Sequence, residues 1–375
     1  MVRNKNVVKK NSVDFILLIA TISLVFIGIV MVFSSSWPEA MVEFENGYYF
    51  LKKQIISASI GFIAMLVFMN LNYKFFKKYS GPIYILSLLS GFLLFTPLGI
   101  TLKGATRWIN LGFTTFMPSD AIKVGSIIFF AAFLANKKEK VTTLVQGTIP
   151  AFLYIGLSCG LIYIQPDLGT AVTLAGTMMA MFFVAGMKLS HLFTMVGAAS
   201  VFLAYAITGE GNEYRMRRWT TFLDPFQDKL GDGWQVVQSL YALGSGGLFG
   251  LGLGKSRQKF FYIPEAYNDF IFSIIGEELG LLGTLLVLFL FLIVIWRGII
   301  IALKTDDLFG CYLASGITAL ITLQSLINIA VVTSTIPTTG ITLPFVSFGG
   351  TSLLFYLAII GILLNISRYA KLDRR

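Results

Sequence analysis

The chain has 375 residues, of which 56% are hydrophobic and 13% are charged, and its formal net charge is +10. Charged residues make up about 25% of an ordinary soluble domain, so this composition excludes a soluble fold and a soluble catalytic domain. Nucleic-acid binding is excluded as well, because the Lys and Arg residues lie in short clusters beside apolar segments, as in membrane proteins. We therefore predict a single integral membrane domain over residues 1–375.

Apolar segments of membrane-spanning length recur along the chain and predict an all-α polytopic fold with about ten transmembrane helices. The predicted spans are residues 14–35, 53–71, 82–99, 119–136, 147–164, 168–186, 189–208, 267–296, 308–333 and 351–368. An even number of spans puts both termini on one side, and the Lys and Arg residues at every connection on that side indicate the cytoplasm. Residues 1–13 are then a cytoplasmic segment before a retained, uncleaved first helix.

The stretch from 209 to 266 is predicted to be one large extracytoplasmic loop between helices 7 and 8. It contains too many aromatic residues to remain disordered. Its segment "QVVQSLYALGSGGLFGLGLG", Gln235–Gly254, is apolar and glycine-rich, and we interpret it as an interfacial or re-entrant element that lines a cavity. Against the usual charge bias, the loop also carries the basic residues Arg215, Arg218, Lys255, Arg257 and Lys259.

The motif "KGATRWINLGFTTFMPSDAIKVG" begins with a second group of cations on the predicted outer side, Lys103 and Arg107. Arg107 is followed by Trp108, and a guanidinium beside an indole can bind an anionic headgroup and a sugar face. An interfacial Trp beside a snorkelling Arg explains the pair equally well. Both interpretations stay open from sequence.

The same motif continues into the fourth predicted helix, for which Ser119 is a plausible N-cap. Asp120 and Lys123 are three residues apart and share one helical face. A structural ion pair inside the bundle is the favoured interpretation for these two residues.

Two further motifs interrupt apolar segments. In "QPDLGTA", Asp167 opens the sixth helix, where helix capping is favoured over a functional role. In "STIPTTGITLPFVSFGGTSL", residues 334–353, prolines and glycines prevent a helix, so this segment is either a substrate site or a tight connector.

The motif "FYIPEAYNDFIFSIIGEELG" contains Asp269, the acid for which we favour a functional role. Helical projection from Asp269 gives a stripe of small residues, which lets neighbouring helices approach closely and directs Asp269 towards the bundle interior. The members of this stripe are Ser273, Gly276, Gly280 and Gly283. For Glu277 and Glu278 we favour structural pairing with polar groups of other helices.

These features together predict an outward-facing cavity with a carboxylate, cations and aromatic rings, which suits an amphiphile with an anionic, carbohydrate-like head. No Ser-His-Asp set, Walker loop or zincin signature occurs, so covalent hydrolysis and ATP-driven transport lack their residues. His191, Cys159 and Cys311 have no metal-ligand spacing, so no metal site is predicted. An enzyme with Asp269 as general base is preferred over a transporter, because the polar groups cluster at one face.

The motifs "KGATRWI", "PSDAIK", "QPDLGTA", "SLYALGSGGLFGLGLGKSRQKFFYIPEAYNDFIFSIIGEELG" and "GITLPFVSFGGTSL" together resemble the SEDS (shape, elongation, division and sporulation) family of RodA and FtsW proteins. The resemblance covers nearly the whole chain in order. The run "GKSRQKFFYIPEAYNDFIF" and "GITLPF" are more similar to the FtsW and sporulation branch than to RodA.

The resemblance implies a bacterial cytoplasmic-membrane peptidoglycan glycosyltransferase that polymerises lipid II on undecaprenyl pyrophosphate-linked glycan at the outer face. The partners it implies are a class B penicillin-binding protein, which is a transpeptidase, and regulators of division or sporulation. Lipid II flipping is the alternative function. A divalent cation, Mg²⁺ or Mn²⁺, is compatible with such chemistry, although no ligand set can be read from the sequence.

Residue by residue, the resemblance assigns the catalytic role to Asp269 and a polar site in the fourth helix to Asp120 and Lys123. The resemblance also matches Arg107 and Trp108 to an Arg-Trp pair of the family's first long outer loop. Our own hypothesis is that substrate binding, with the pyrophosphates held by cations, involves Lys103, Arg107, Trp108, Arg215, Arg218, Lys255, Arg257 and Lys259. The chain departs from the family where Asp120 replaces the usual Glu and where Phe348 replaces a Tyr, which removes a hydroxyl.

Overall fold

The computed structural model describes residues 11–102, 105–110, 115–209, 212–228, 231 and 233–372. The helices are α1 Phe15–Phe44, α2 Tyr49–Asn70, α3 Lys74–Lys78, α4 Ser80–Phe92, α5 Pro118–Lys137, α6 Ile149–Ile164, α7 Leu168–Val184, α8 Leu189–Thr208, α9 Glu213–Leu223, α10 Trp234–Ser245, α11 Ile271–Leu303, α12 Leu308–Val332 and α13 Thr351–Ser367. The strands are β1 Gly99–Leu102, β2 Ala105–Asn110 and β3 Thr115–Phe116, which pair antiparallel in chain order.

The helices agree with the predicted all-α membrane fold. Every predicted span overlaps a helix, and in the described part of the chain seven helical segments are long and apolar enough to cross a membrane. The helices α4, α7 and α13 are apolar but shorter. The protein is therefore a multi-pass membrane protein, while the count of ten crossings stays a prediction.

The bundle has a central helix and a peripheral one. In α5, 83% of the most apolar window is buried within the protein, whereas the corresponding share in α8 is 17%. Glycines allow α2 and α13 to pack closely against each other. A Cβ on Gly361 would lie 2.5 Å from the Met65 carbonyl oxygen, and one on Gly61 would lie 2.6 Å from Leu357. Small residues therefore set this packing, as is common between membrane helices.

The two ends of the described chain meet at one end of the bundle. The Asn11 amide donates to the Arg368 carbonyl at 3.1 Å, and the Asp14 amide donates to the Ser367 hydroxyl at 3.1 Å. The buried Asp14 carboxylate caps α1 and pairs with Arg297 of α11 at 2.6 Å. This arrangement agrees with an even number of spans, and the side of the membrane that this end faces stays a prediction.

Helix α11 is interrupted at Gly280, where the sequence had predicted one continuous helix. Gly280 has φ 67° and ψ −164°. In an unbroken helix, the amides of Leu281 and Leu282 would donate to the carbonyls of Glu277 and Glu278. They donate instead to the glycine-rich residues 246–254 that follow α10, which in turn donate to those two carbonyls.

Four backbone hydrogen bonds thus replace two. They run from Leu281 to Gly247 (2.9 Å), from Leu282 to Leu248 (3.2 Å), from Leu251 to Glu277 (2.9 Å) and from Gly252 to Glu278 (3.0 Å). Irregular backbone at membrane depth is tolerated only where the protein satisfies its polar groups, and this exchange satisfies both segments at once. The predicted apolar element Gln235–Gly254 is therefore a helix, α10, followed by a glycine-rich segment that is docked on the break in α11.

Substitution of Gly280 by alanine tests this junction. A Cβ there would lie 2.3 Å from the Gly250 nitrogen, and the backbone conformation alone, which is essentially restricted to glycine, costs another residue about 1–3 kcal/mol. We expect Gly280→Ala to lower the melting temperature of the purified protein in detergent. The control, Gly244→Ala in α10, adds a Cβ that meets nothing within 4 Å and should leave the melting temperature unchanged or slightly raised. Equal melting temperatures for the two variants would contradict the docked arrangement.

Candidate functional site

Residues from all four motifs that the sequence singled out line one cavity of about 130 Å³, which we call the central cavity. Its polar and aromatic lining includes Arg107, Trp108, Asp120, Lys123, Thr170, Asn268, Gln324 and Phe348. The interrupted segment 334–353 contributes Gly340, Thr342, Gly349 and Gly350, so it lines the cavity as well as connecting helices. The cavity lies at the end of the bundle opposite to the meeting point of the two chain ends, since Ser352 at the start of α13 lines it.

The wall formed by α5 carries a buried ion pair. Lys123 Nζ lies 2.8 Å from Asp120 Oδ1, and both side chains are almost fully buried. The ammonium also donates to Gln324 Oε1 at 3.2 Å and contacts the Tyr356 hydroxyl at 3.4 Å, and Tyr356 donates to the same Gln324 oxygen. Among the described residues, Asp120 Oδ2 has no hydrogen-bond partner. The Oδ2 atom of Asp120 is thus a hydrogen-bond acceptor beside the cavity that no described residue uses.

The start of α5 differs from the prediction. Met117 is the N-cap and Pro118 is the first helical residue, so Ser119 is not the cap that the sequence suggested. Proline suits this position because it has no amide hydrogen to lose and its φ is already helical. The start of α7 agrees with its prediction: Asp167 caps it by accepting from the Thr170 amide at 3.1 Å.

Asp269 lies in the turn that leads into α11 and is not itself among the residues that line the central cavity. The helix begins at Ile271, not at 267 as predicted, so Asp269 is outside the helix and helical projection from it is wrong. Its position is fixed through the backbone, because Asn328 Nδ2 donates to the carbonyl of Asp269 and to that of Ile341, each at 2.7 Å. Asp269 itself is half-buried, and its neighbour Asn268 lines the cavity.

Part of the small-residue stripe does serve close packing. Ser273 contacts Ser239 of α10 at 2.7 Å, and a Cβ on Gly276 would lie 2.6 Å from Leu243. The stripe ends at Gly280, where the helix breaks. It therefore holds α10 against the first part of α11.

Two side-chain amides of α12 contact the site but were not predicted from the sequence. Gln324 and Asn328 are four residues apart on one face of an apolar helix, and they contact the ion pair and the Asp269 backbone respectively. Polar side chains inside a membrane helix are costly unless they have a role, so the pair of amides was an available signal.

A second cavity, of about 200 Å³, adjoins the central one and is called the lateral cavity. Arg107 lines both cavities and donates to the Pro166 carbonyl. Arg218 of α9 also lines the lateral cavity and donates to the Thr338 carbonyl at 3.1 Å. These two predicted cations are therefore brought to one region.

Arg215 is the third cation of the lateral cavity and is almost completely buried. It donates at 3.0 Å to the Tyr163 hydroxyl and to the Ala206 carbonyl. Burial acts to lower the pKa of this guanidinium, but its hydrogen bonds to Tyr214 and Tyr163 outweigh burial and raise the pKa. The residue therefore remains a cation.

The model of the FtsW, RodA and SpoVE family of cell cycle proteins matches residues 15–372. The chain belongs to this family. It is 43% identical to stage V sporulation protein E of Bacillus subtilis (strain 168), over 97% of this chain and 99% of that protein.

Two further comparisons agree with this membership. The chain is 41% identical to a protein of Trichlorobacter lovleyi named probable peptidoglycan glycosyltransferase FtsW, over 96% of this chain and 94% of that one. It is 27% identical to a chain from a solved peptidoglycan synthase complex that coordinates polymerization and crosslinking. That match has a TM-score of 0.78 and covers 95% of this chain and 98% of the solved chain.

In this FtsW/RodA/SpoVE family member, three of the other predicted cations, Lys255, Arg257 and Lys259, are not among the residues that line these cavities. Lys103 lies outside the described residues. Lys255 and Arg257 are exposed and are not among the residues that line the central or the lateral cavity. Lys259 differs most from its predicted role as a substrate-binding cation. Its ammonium is buried and lies 2.8 Å from Glu278 Oε1, so its charge is already compensated within the protein.

Glu277 and Glu278 hold the segment that carries these cations. Glu278 accepts from Ser34 of α1 and from Lys259, as well as from the amides of Gly254 and Ser256. This contact with another helix agrees with the structural role predicted for it. Glu277 accepts from the Ser256 hydroxyl and from the backbone amides of Arg257 (2.9 Å) and Gln258 (3.3 Å), so its partners among the described residues lie in the loop itself and not, as had been predicted, in another helix.

A metal centre was not predicted, and within the described ranges no group of three or more His, Cys, Asp or Glu residues forms a ligand cluster. The residues that line the central cavity include one acid, Asp120, whose charge is paired with Lys123. A divalent cation therefore stays a prediction, and we derive no step through one.

Replacement of Lys259 by methionine tests its structural assignment. The change keeps the length of the side chain but leaves the buried Glu278 without its cation, which typically costs about 3–5 kcal/mol. We expect a clear fall in the melting temperature in detergent, whereas Lys255→Met, at an exposed position of the same segment, should leave it unchanged. If the Lys259→Met protein keeps wild-type stability but loses activity, the structural assignment is wrong and the predicted substrate-binding role of Lys259 is supported.

Proposed function

We propose that this protein is a peptidoglycan glycosyltransferase that polymerises lipid II at the outer face of the bacterial cytoplasmic membrane during division or sporulation. The observation that carries the proposal is that residues of four separate motifs line one polar cavity, among them Asn268, which directly precedes Asp269. Family membership supports the same activity, since a relative with 41% identity is named a probable peptidoglycan glycosyltransferase. Both termini are assigned to the cytoplasm, because the chain ends meet at the end of the bundle opposite to the cavity.

The proposed reaction is a transfer with inversion at the anomeric carbon. Asp269 takes the proton from the 4-hydroxyl of the GlcNAc of incoming lipid II, and that oxygen attacks the anomeric carbon of the MurNAc at the lipid-linked end of the growing chain. A new glycosidic C–O bond forms while the C–O bond to phosphate breaks. The electron pair leaves with undecaprenyl pyrophosphate.

The cations suit the departing group. Arg107 and Arg218 carry planar guanidiniums that match phosphate oxygens and stabilise negative charge as it develops. Trp108 offers a ring face for a sugar. Asp120 and Lys123 form the polar wall of the cavity, where the unpartnered Asp120 oxygen can accept from a substrate hydroxyl or amide.

We assign a class B penicillin-binding protein as partner, because the similar solved chain comes from a complex that couples polymerization to crosslinking. A lipid II flippase is less well supported. Substrate sites of transporters usually lie near the bilayer midplane, whereas the cavity residues Asp120, Lys123 and Thr170 lie in the first turns of their helices.

Asp269→Asn tests the general base. The amide keeps the size of the side chain but cannot accept the proton, and loss of general-base catalysis typically costs about 10²–10⁴-fold in rate. We expect glycan polymer from lipid II to fall by at least about 10²-fold when the purified protein is incubated with its partner transpeptidase. The control, Asp306→Asn, removes an exposed acid paired with Lys371 and should retain activity.

Three outcomes count against parts of the proposal. Polymerisation by a correctly folded Asp269→Asn protein at the wild-type rate contradicts the base assignment. A wild-type protein that moves lipid II between leaflets without making polymer contradicts the enzyme itself. An equal loss of activity in Asp306→Asn means that the effect of Asp269→Asn is not specific.

A further inference from the structure

The turn that contains the proposed base is held by contacts of one aromatic residue, Tyr267. Asp269 lies before the first residue of α11, so the helix itself does not set its position. A reacting group that is misplaced by about 1 Å can cost about 10²-fold in rate, so such a turn needs fixed contacts with neighbouring elements. Tyr267, two residues before Asp269 and only 6% exposed, makes three of them.

The hydroxyl of Tyr267 makes the first contact. It donates to Glu39 Oε1 of α1 at 3.0 Å. A hydrogen bond to a carboxylate is roughly twice as strong as one between neutral groups. The same helix donates through the Ser34 hydroxyl to Glu278, which precedes the break in α11. Helix α1 therefore holds the first part of α11 at both of its ends.

The carbonyl and the ring of Tyr267 make the other two contacts. The carbonyl accepts from the Phe348 amide at 3.0 Å, which joins the turn to the interrupted segment 334–353. The ring packs against Phe50 of α2 and against Phe348, with ring centroids 4.4 and 5.8 Å apart, and those two rings also contact each other. Phe348 lines the central cavity, so Tyr267 connects the turn with α1, α2 and one wall of that cavity.

Tyr267 is not placed to touch a substrate. It is not among the residues that line the central cavity, whereas its neighbour Asn268 is. Its hydroxyl is bonded to Glu39, and its ring is packed against other rings. An effect of Tyr267 on the reaction must therefore pass through the turn.

We propose that Tyr267 is a positioning residue for the transfer reaction, and that the hydrogen bond from its hydroxyl to Glu39 sets the place of Asp269. The inference rests on the proposed glycosyltransferase function, in which Asp269 is the base. Asn328 holds the carbonyl of Asp269 from α12, and Tyr267 ties the residues before it to α1. The base is thus fixed between two helices, and Glu39 contributes to the reaction from α1 without lining the cavity.

Tyr267→Phe tests this hydrogen bond, because it removes the hydroxyl and keeps the ring. The purified protein, checked to be folded at the assay temperature, is incubated with its partner transpeptidase at several lipid II concentrations. We expect kcat for glycan polymer to fall about tenfold while KM for lipid II stays near wild type, since a misplaced base slows the chemical step. The control, Tyr49→Phe, removes a hydroxyl that is bonded to Lys53 at the start of α2 and should change neither constant.

Variants of Glu39 distinguish this bond from a general loss of stability. Glu39→Gln keeps an acceptor oxygen and should keep kcat within about threefold of wild type, since a neutral bond has roughly half the strength of a charged one. Glu39→Ala removes the acceptor and should lower kcat as Tyr267→Phe does. The two losses should not add in the double variant, because both changes remove the same bond. Additive losses, or equal losses in Glu39→Gln and Glu39→Ala, overturn the inference.

Hydrogen–deuterium exchange measures the turn independently of activity. Tyr267→Phe should speed exchange in a peptide that contains the Phe348 amide, the donor to the Tyr267 carbonyl, and Tyr49→Phe should not. Unchanged exchange in Tyr267→Phe overturns the inference. If wild type polymerises lipid II and Asp269→Asn does not, but Tyr267→Phe keeps the wild-type kcat, only the inference fails. If exchange responds as expected but wild type makes no polymer, the proposed function fails and the hold of Tyr267 on the turn stands.

Discussion

The exchange of backbone hydrogen bonds at Gly280 is the constraint on which the rest of the site depends. A helix that breaks inside a membrane exposes amides and carbonyls that lipid cannot satisfy, so the break requires a second irregular segment beside it. The glycine-rich residues 246–254 provide that segment, and only residues without a Cβ can approach so closely, as at Gly250 and Gly280. Once docked, this segment fixes α10 against the first part of α11, and with it the turn that contains Asp269.

Buried charged side chains, like the backbone groups at Gly280, need hydrogen-bonding or ionic partners within the protein. Glu278 is paired with Lys259 and Asp120 with Lys123, and hydroxyl, amide or backbone groups add hydrogen bonds to each pair. Buried ion pairs contribute little net stability compared with apolar side chains of similar size. The pair at Glu278 has a structural explanation, since it holds a loop on a broken helix. The pair at Asp120 lines a cavity and leaves one oxygen without a partner among the described residues, so packing alone does not explain it.

These differences indicate what the sequence could and could not predict. The apolar segments and the spacing of Asp120 and Lys123 are local signals, and helices and an ion pair occur where they predicted them. The break at Gly280 was not predictable locally, because a glycine inside an apolar helical pattern is usually tolerated. The role of Lys259 depends on a partner that is distant in sequence and brought close by that break. Ser119 is a good capping residue, but it is not the N-cap of α5. The helix begins one residue earlier, because Pro118 fits the first helical turn.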